Sequence, residues 1–495
     1  VSEAAPSVPQ MSLRSATLWA AIAQYSGFAI QFVLSVVIAR YFLGPEEIGI
    51  FSVAFSAAAI VHGLQDFGLN RFIVGARELD RGTLHVAFTL SISIAVAIVA
   101  IICLMAGPVA DFYDNAALYP IMLVIGISFT FVPLSVVPMA LVQRDMDFRK
   151  VAFVEVGAHL ANGTVAIAAA WWGYSAMALA FGLFAYQLAR ALLTQLVRPV
   201  LAIFPPSFEG AKAMFTYGGW SGVLSLTGAI SARVPDLVVG KLISEAALGL
   251  FSRATGLAMQ FRLLVGGPIA SVFYPSFARA RDREEDIAEH YLRLTAALCA
   301  VTWGAMAGLA AASEPLVLGL YGERWAGVAP VLVWIAMAQI LLIAVPMHID
   351  IGYLMGGWSR VIRLTLLDGF LSIAILLYAA QYGLIAAAAS RVVHGAIWWM
   401  IQSVFLQSLV KFSWAKLFSI YFKSGIAAAA STVPLLLAYR FWVAPESMGL
   451  GLMALLSVMG VALWYAALVV TRHPSAADLA DLALERFRRA KASKA

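Results

Sequence analysis

Charge is scarce in this chain. Only 12% of its 495 residues are Asp, Glu, Lys or Arg, about half the share of a water-soluble domain. By contrast 62% are hydrophobic, and mean hydropathy is +0.88. A soluble enzyme is excluded, because no water-facing core hides so much apolar surface. Cysteine is almost missing. Cys103 and Cys299, each inside an apolar run, exclude a disulfide framework and a paired-cysteine metal motif. There is no Gly-rich lysine loop to cradle phosphate, and the seven histidines are scattered. No loop is long enough for a catalytic domain. We therefore expect no catalytic residues, no cofactor and no metal. The short alternating segments of a transmembrane β-barrel are missing as well.

What the chain has is long apolar runs. A membrane-crossing helix needs about 20 such residues. Fourteen candidate spans lie near 15–39, 47–70, 83–107, 118–142, 151–171, 174–196, 213–241, 247–278, 288–312, 325–355, 360–380, 383–406, 416–440 and 447–470. The first ten residues are polar, with no basic segment leading into a cleavable apolar core, so no signal peptide is expected. Lys and Arg crowd alternate connections, among them Arg144, Arg149, Lys150, Arg279, Arg281, Arg283, Arg360 and Arg363. Basic residues stay on the cytoplasmic side, so both termini are expected there. The net charge of +6 then needs no nucleic acid to explain it. The stretch 476–494 reads as a basic tail near anionic headgroups.

The sequence repeats at an offset near 200. Val37-Ile38-Ala39-Arg40 and Ile48-Gly49-Ile50-Phe51-Ser52 match Val238-Val239-Gly240-Lys241 and Leu248-Gly249-Leu250-Phe251-Ser252. Pro108, Tyr113, Pro120 and Pro138-Met139 match Pro315, Tyr321, Pro330 and Pro346-Met347, and Val154-Glu155 matches Leu367-Asp368. Six spans separate the copies, an even number, so the halves have the same orientation, as in transporters with parallel repeats. The expected fold is all-α and polytopic. A cytoplasmic tail (1–12) precedes a six-helix lobe (13–200) and a second six-helix lobe (212–408). Two further helices (413–470) and a basic cytoplasmic tail (471–495) follow.

Four stretches resemble the Wzx-like polysaccharide flippases of the multidrug/oligosaccharidyl-lipid/polysaccharide exporter superfamily. They are Ala39-Arg40-Tyr41-Phe42-Leu43-Gly44-Pro45-Glu46-Glu47-Ile48-Gly49, Gln143-Arg144-Asp145-Met146-Asp147-Phe148-Arg149 running into Glu155, Asp236-Leu237-Val238-Val239-Gly240 through Ala247-Leu248-Gly249-Leu250-Phe251-Ser252-Arg253-Ala254 to Gly266-Gly267-Pro268, and Glu314-Pro315-Leu316 with Gly322-Glu323-Arg324-Trp325. The resemblance implies a MATE-like pair of lobes that flips an undecaprenyl-diphosphate-linked oligosaccharide across the bacterial inner membrane by alternating access. It also implies neighbours such as a polysaccharide polymerase and a chain-length regulator. A drug or cation antiporter of the same superfamily is the alternative. That reading expects cavity acids, whereas these spans are richer in arginine. A membrane polymerase or ligase would need larger outer loops.

Charge inside a span is costly and faces a cavity or a partner. His62 and Arg262 are repeat counterparts, each about 20 Å deep at 1.5 Å per residue. Arg262 precedes Gly266-Gly267-Pro268, an expected helix break. Guanidinium suits phosphate oxygens, so a basic wall for diphosphate is one reading, with pairing between helices, such as His62 with Asp66, as the other. Arg253 with Asp236 reads as a structural salt bridge near the outer surface, which leaves Arg233 as a cavity cation. Arg391, His394, Trp398 and Gln402 make a stripe at helical spacing, suited either to sugar and phosphate or to lobe packing. Glu155, His159 and Asn162 make another. Glu155 and Asp368 pair with basic residues or serve coupling, for which Asp66 and Asp236 are further candidates. Arg71 sits near the cytoplasmic edge, where it either snorkels or captures diphosphate on entry. Tyr113, Trp171, Trp172, Tyr174 and Trp325 are expected in the outer aromatic belt.

Overall fold

In lipid a backbone has no hydrogen-bonding partner but itself, so long apolar runs fold as helices. A computed structural model of the protein describes residues 13–65, 69, 73–74, 79–199, 211–283 and 286–476. Asp66, Arg71, the 1–12 segment and the basic stretch beyond Ala476 lie outside the described residues. Among the described residues every regular element is helical: α1 (Leu13–Tyr41), α2 (Pro45–His62), α3 (Arg81–Tyr113), α4 (Leu118–Ser128), α5 (Pro133–Arg144), α6 (Phe148–Trp171), α7 (Met177–Val197), α8 (Ala211–Leu242) and α9 (Glu245–Asp282). The series continues with α10 (Ile287–Ala311), α11 (Ser313–Tyr321), α12 (Val328–Ile343), α13 (His348–Leu354), α14 (Trp358–Ala380), α15 (Leu384–Val410), α16 (Trp414–Phe441) and α17 (Leu450–Val470).

The ends are set by local chemistry. Gly44 donates its N–H to Glu47 Oε2 at 2.8 Å, and Pro45 opens α2 at the position where a missing N–H costs nothing. Asp80 and Asp286 cap α3 and α10, accepting from Thr83 and Glu289 N–H groups at 2.9 and 3.1 Å. The Thr83 hydroxyl, and after it the Thr83 N–H, donate to the Asp80 carboxylate and hold its carboxyl below the usual range.

Eleven helices among the described residues are long and apolar enough to cross a membrane. The number is twelve if α4 and α5, bent by 45° at their junction, count as one span. The two other expected spans lie on α8 and α9, of 32 and 38 residues.

Contacts divide the chain into two compact units, Val1–Gly249 and Leu250–Ala495. In the first, α1 packs on α6, α6 on α7 and α3 on α4, and α8 lies along α2. Small residues permit close approach, as in many membrane bundles: a Cβ on Gly163 would meet Leu34 at 3.3 Å. The closest approach joins the first turns of α2 and α9. A Cβ on Gly49 would lie 1.8 Å from the Glu245 carbonyl oxygen, and one on Gly249 would lie 1.9 Å from that of Pro45. Both glycines and both carbonyls are repeat counterparts, so the contact is reciprocal. Asn115 donates to the Glu245 carboxylate at 2.8 and 2.9 Å.

In the second unit α10 packs on α16, α16 on α17 and α12 on α15. Its buried core includes Phe277, Tyr291, Trp398, Phe412 and Tyr421. Large apolar side chains such as Phe370, Phe422 and Val470 are exposed, as lipid-facing residues should be. Two sequence expectations change here. The helix does not break at Gly266-Gly267-Pro268, since α9 is helical throughout. Trp325 is not an interfacial belt residue but fully buried, whereas Trp171, Trp172 and Tyr174 are exposed.

Candidate functional site

The span Val328–Leu354 is one apolar stretch, yet its helix stops at Ile343 and resumes at His348. Pro346 has no N–H to donate to a helix. Met347 sits in the left-handed region at φ 53°, a conformation that costs a non-glycine residue of order 1–3 kcal/mol. Irregular backbone at membrane depth is tolerated where it is buried in protein or lines a cavity. Both hold here. Tyr421 donates its hydroxyl proton to the freed Ala344 carbonyl at 2.7 Å. Val345, Pro346, Met347 and His348 line a cavity of about 220 Å³ that also meets Arg262, Gly266 and Thr302.

Arg262 is the cation of that cavity. Its Nη2 donates to the sulfur of Met259 at 3.0 Å. Its Nε is buried without a hydrogen-bond partner. Among the described residues no carboxylate pairs with it. Gly266, one turn further on, brings α9 against α10: a Cβ there would meet Thr302 Cγ2 at 3.2 Å. An unpaired guanidinium held at depth is costly, and its donor fork matches phosphate oxygens.

Phe261 is the immediate neighbour of Arg262, and it lines a second cavity, of about 540 Å³, with Val265, Gly304, Leu309, Leu435 and Trp464. That cavity lies among α9, α10, α11, α16 and α17, and its wall is almost wholly apolar. Adjacent faces of one helix thus present a cationic and an apolar hollow.

The remaining sequence candidates fall into separate groups. In α14 and α15, Asp368 Oδ1 lies 2.8 Å from His394 Nε2, and one turn along Arg391 donates to Ser372 Oγ at 2.8 Å. Trp398 and Gln402 are buried, so the stripe faces the interior of its own unit. The Trp398 ring meets His348 edge-on at 4.9 Å between centroids. In α6 and α7, Glu155 holds Arg190 at 3.1 Å and accepts from Tyr186 at 2.9 Å, with His159 against the Tyr186 ring. Glu155 thus pairs with a basic residue of the next helix, Arg190.

At the end of α8, Asp236 accepts from Ser56 at 3.0 Å and lies 3.7 Å from Arg233, whose guanidinium covers Phe55. The Arg253 guanidinium lies 5.3 Å from the ring centroids of both Tyr321 and Trp325, which are 6.2 Å from each other. His62 stacks on Phe129 at 4.5 Å.

His348 was not singled out from sequence. Its signal was present: Pro346 inside an otherwise apolar span marks a broken helix, and broken helices surround transport sites.

Known proteins share this architecture. The fold superposes on the lipid II flippase MurJ in an inward closed conformation with a TM-score of 0.74, at 12% identity over 92% of this chain and 99% of that one. An inward-facing multidrug resistance MATE transporter follows at 0.60, with 15% identity over 80% and 99%. The likeness is one of fold: a polytopic bundle of membrane-spanning helices.

Residues 37–330 match the polysaccharide biosynthesis protein family, and the chain belongs to it. Among its relatives, lipopolysaccharide biosynthesis protein WzxC of Escherichia coli (strain K12) is 24% identical over 67% of this chain and 68% of that protein. Succinoglycan biosynthesis transport protein ExoT of Rhizobium meliloti (strain 1021) is 25% identical over 80% and 78%.

Proposed function

We propose that the protein flips a polyprenyl-diphosphate-linked oligosaccharide, of the undecaprenyl type, across the bacterial inner membrane for surface polysaccharide assembly. The observation that carries this reading is Arg262, a half-buried guanidinium with a buried, unpartnered Nε and no acid partner among the described residues, facing a cavity. Diphosphate supplies the missing anion. The apolar hollow beside Phe261 suits an isoprenoid chain, so one segment of α9 meets both ends of an amphiphile. The names of WzxC, ExoT and MurJ support the same class of substrate. Both termini lie on the cytoplasmic side, from the distribution of Lys and Arg in the connections. Two six-helix halves, 13–200 and 212–408, alternate access to the site, and a polymerase with a chain-length regulator consumes the product.

Deleting the gene should leave the lipid-linked oligosaccharide made but facing the cytoplasm, with surface polysaccharide lost. Lipid extracts and leaflet-specific labelling read this out. A mutant unable to make the lipid-linked repeat would mean that the protein acts in synthesis, and would refute the proposal.

A further inference from the structure

The broken span needs something to hold it. A helix that stops at Ile343 and resumes at His348 leaves carbonyls without their helical donors, and Met347 is kept in the left-handed region. Such backbone persists only where its surroundings over-determine it. Two side chains do so, one at each end of the break. At the first end Tyr421 of α16 donates its hydroxyl proton to the Ala344 carbonyl at 2.7 Å. At the other end the Trp398 ring of α15 meets His348 edge-on.

Tyr421 is itself fixed from two further helices. Its ring stacks on Trp303 of α10, with 5.5 Å between centroids and 20° between planes. Trp303 follows Thr302, which lines the cavity of Arg262. From α15 the Trp399 ring lies edge-on to Tyr421 at 6.1 Å, and its Nε1 donates to the Tyr421 hydroxyl at 3.4 Å. With the ring held, the one O–H donor of the side chain is held too, and through it the carbonyl. Tyr421 is buried, so water does not take over the bond when the hydroxyl is lost.

The first half of the sequence repeat lacks both the break and its anchor. Pro138-Met139 are the counterparts of Pro346-Met347, yet α5 runs helically through both. The bend of that span falls earlier, between α4 and α5. Tyr421 lies on α16, outside the repeat, and has no counterpart in the first half.

We propose that Tyr421 is a positioning residue of the cavity: through its hydroxyl, α16 fixes the unwound backbone 344–347 that forms a wall beside Arg262. The inference takes its ligand, a lipid diphosphate, from the flippase reading. Val345, Pro346, Met347 and His348 line the cavity with Arg262. A wall free to move would have to be ordered at each binding event, and that ordering is subtracted from affinity.

Tyr421→Phe keeps the ring and its stacking and removes only the donated proton. Tyr439→Phe is the matched control. Tyr439 lies on the same helix and donates to a carbonyl, that of Ala311, at 2.8 Å, but lines neither cavity. The full-length protein in nanodiscs is compared by hydrogen–deuterium exchange without ligand, which reads local opening, and by affinity for undecaprenyl diphosphate. In Tyr421→Phe, exchange should rise about tenfold over residues 344–351 alone, because a buried carbonyl is left without a donor. Affinity should fall by about the same factor, and the melting temperature should fall no further than in Tyr439→Phe. The control should keep wild-type exchange over 344–351 and wild-type affinity. Unchanged exchange at the break in Tyr421→Phe, or wild-type affinity, would overturn the proposal. So would exchange that rises along all of α12, α15 and α16, or an equal loss of affinity in the two variants, since either makes Tyr421 an ordinary stabilising contact. Failure of the wild-type protein to bind undecaprenyl diphosphate would instead overturn the flippase reading, and the ligand-free exchange would still decide the role of Tyr421.

Discussion

Arg262→Ala should abolish flipping while the protein remains folded and inserted. The guanidinium has one weak contact, to Met259, and no carboxylate among the described residues. Removing it therefore breaks no ion pair that the fold relies on. It relieves the cost of a desolvated charge, so the melting temperature in detergent should hold or rise. Transport should fall by a factor of about 30 or more, since truncating one partner of a buried charge contact costs about 2–5 kcal/mol. Arg262→Lys keeps the charge but loses the planar fork, and should retain part of the activity. Surface polysaccharide in a deletion strain, beside thermal melting of the purified variants, separates the two effects. Full transport by the Ala variant would remove Arg262 from the site. Lost transport together with lost stability would mean that the residue is structural.

Gly49→Ala and Gly249→Ala fail for the opposite reason: they leave the cavity alone and break the scaffold. The added methyl would sit 1.8 or 1.9 Å from a backbone carbonyl oxygen, far inside any contact distance. No flexible side-chain end can give way, because both obstacles are main chain at the first turns of α2 and α9. Overpacking costs about 1–3 kcal/mol where side chains can adjust and more where they cannot. Each variant should therefore lose most of its folded yield. Gly107→Ala is the matched control: it lies within α3 with nothing within 4 Å of the added carbon. It should be neutral or up to about 1 kcal/mol stabilising, from helix propensity. Yield and monodispersity after detergent extraction report the outcome, and wild-type melting of Gly49→Ala would show that the helices do not cross as described.

Membrane class and helical fold were legible because composition and long apolar runs are one-dimensional signals. Glu155 and Asp368 were legible as a matched pair because the repeat aligned them, but their partners were not. Arg190 and His394 lie one helix further along, and sequence spacing carries no information across helices. Helical periodicity gathered Arg391, His394, Trp398 and Gln402 on one stripe, but could not say whether that stripe faces a cavity or its own core. The guanidinium of Arg253 lies against the rings of Tyr321 and Trp325, a contact that a charge-based reading ignores. The break was expected at Gly266-Gly267-Pro268 and found at 344–347. Glycine beside a tightly packed neighbour serves close approach as readily as bending, whereas Pro346 follows directly on the unwound backbone that lines the cavity.

The central claim is that this chain moves a lipid diphosphate through the cavity of Arg262. Its most direct measurement is leaflet exchange of a fluorescent undecaprenyl-diphosphate oligosaccharide in proteoliposomes, scored by quenching from outside. Wild type should expose the inner-leaflet pool to the quencher, and Arg262→Ala should leave it protected as in protein-free vesicles. An inner pool that stays protected with folded wild-type protein, or equal exposure by both proteins, would contradict the claim.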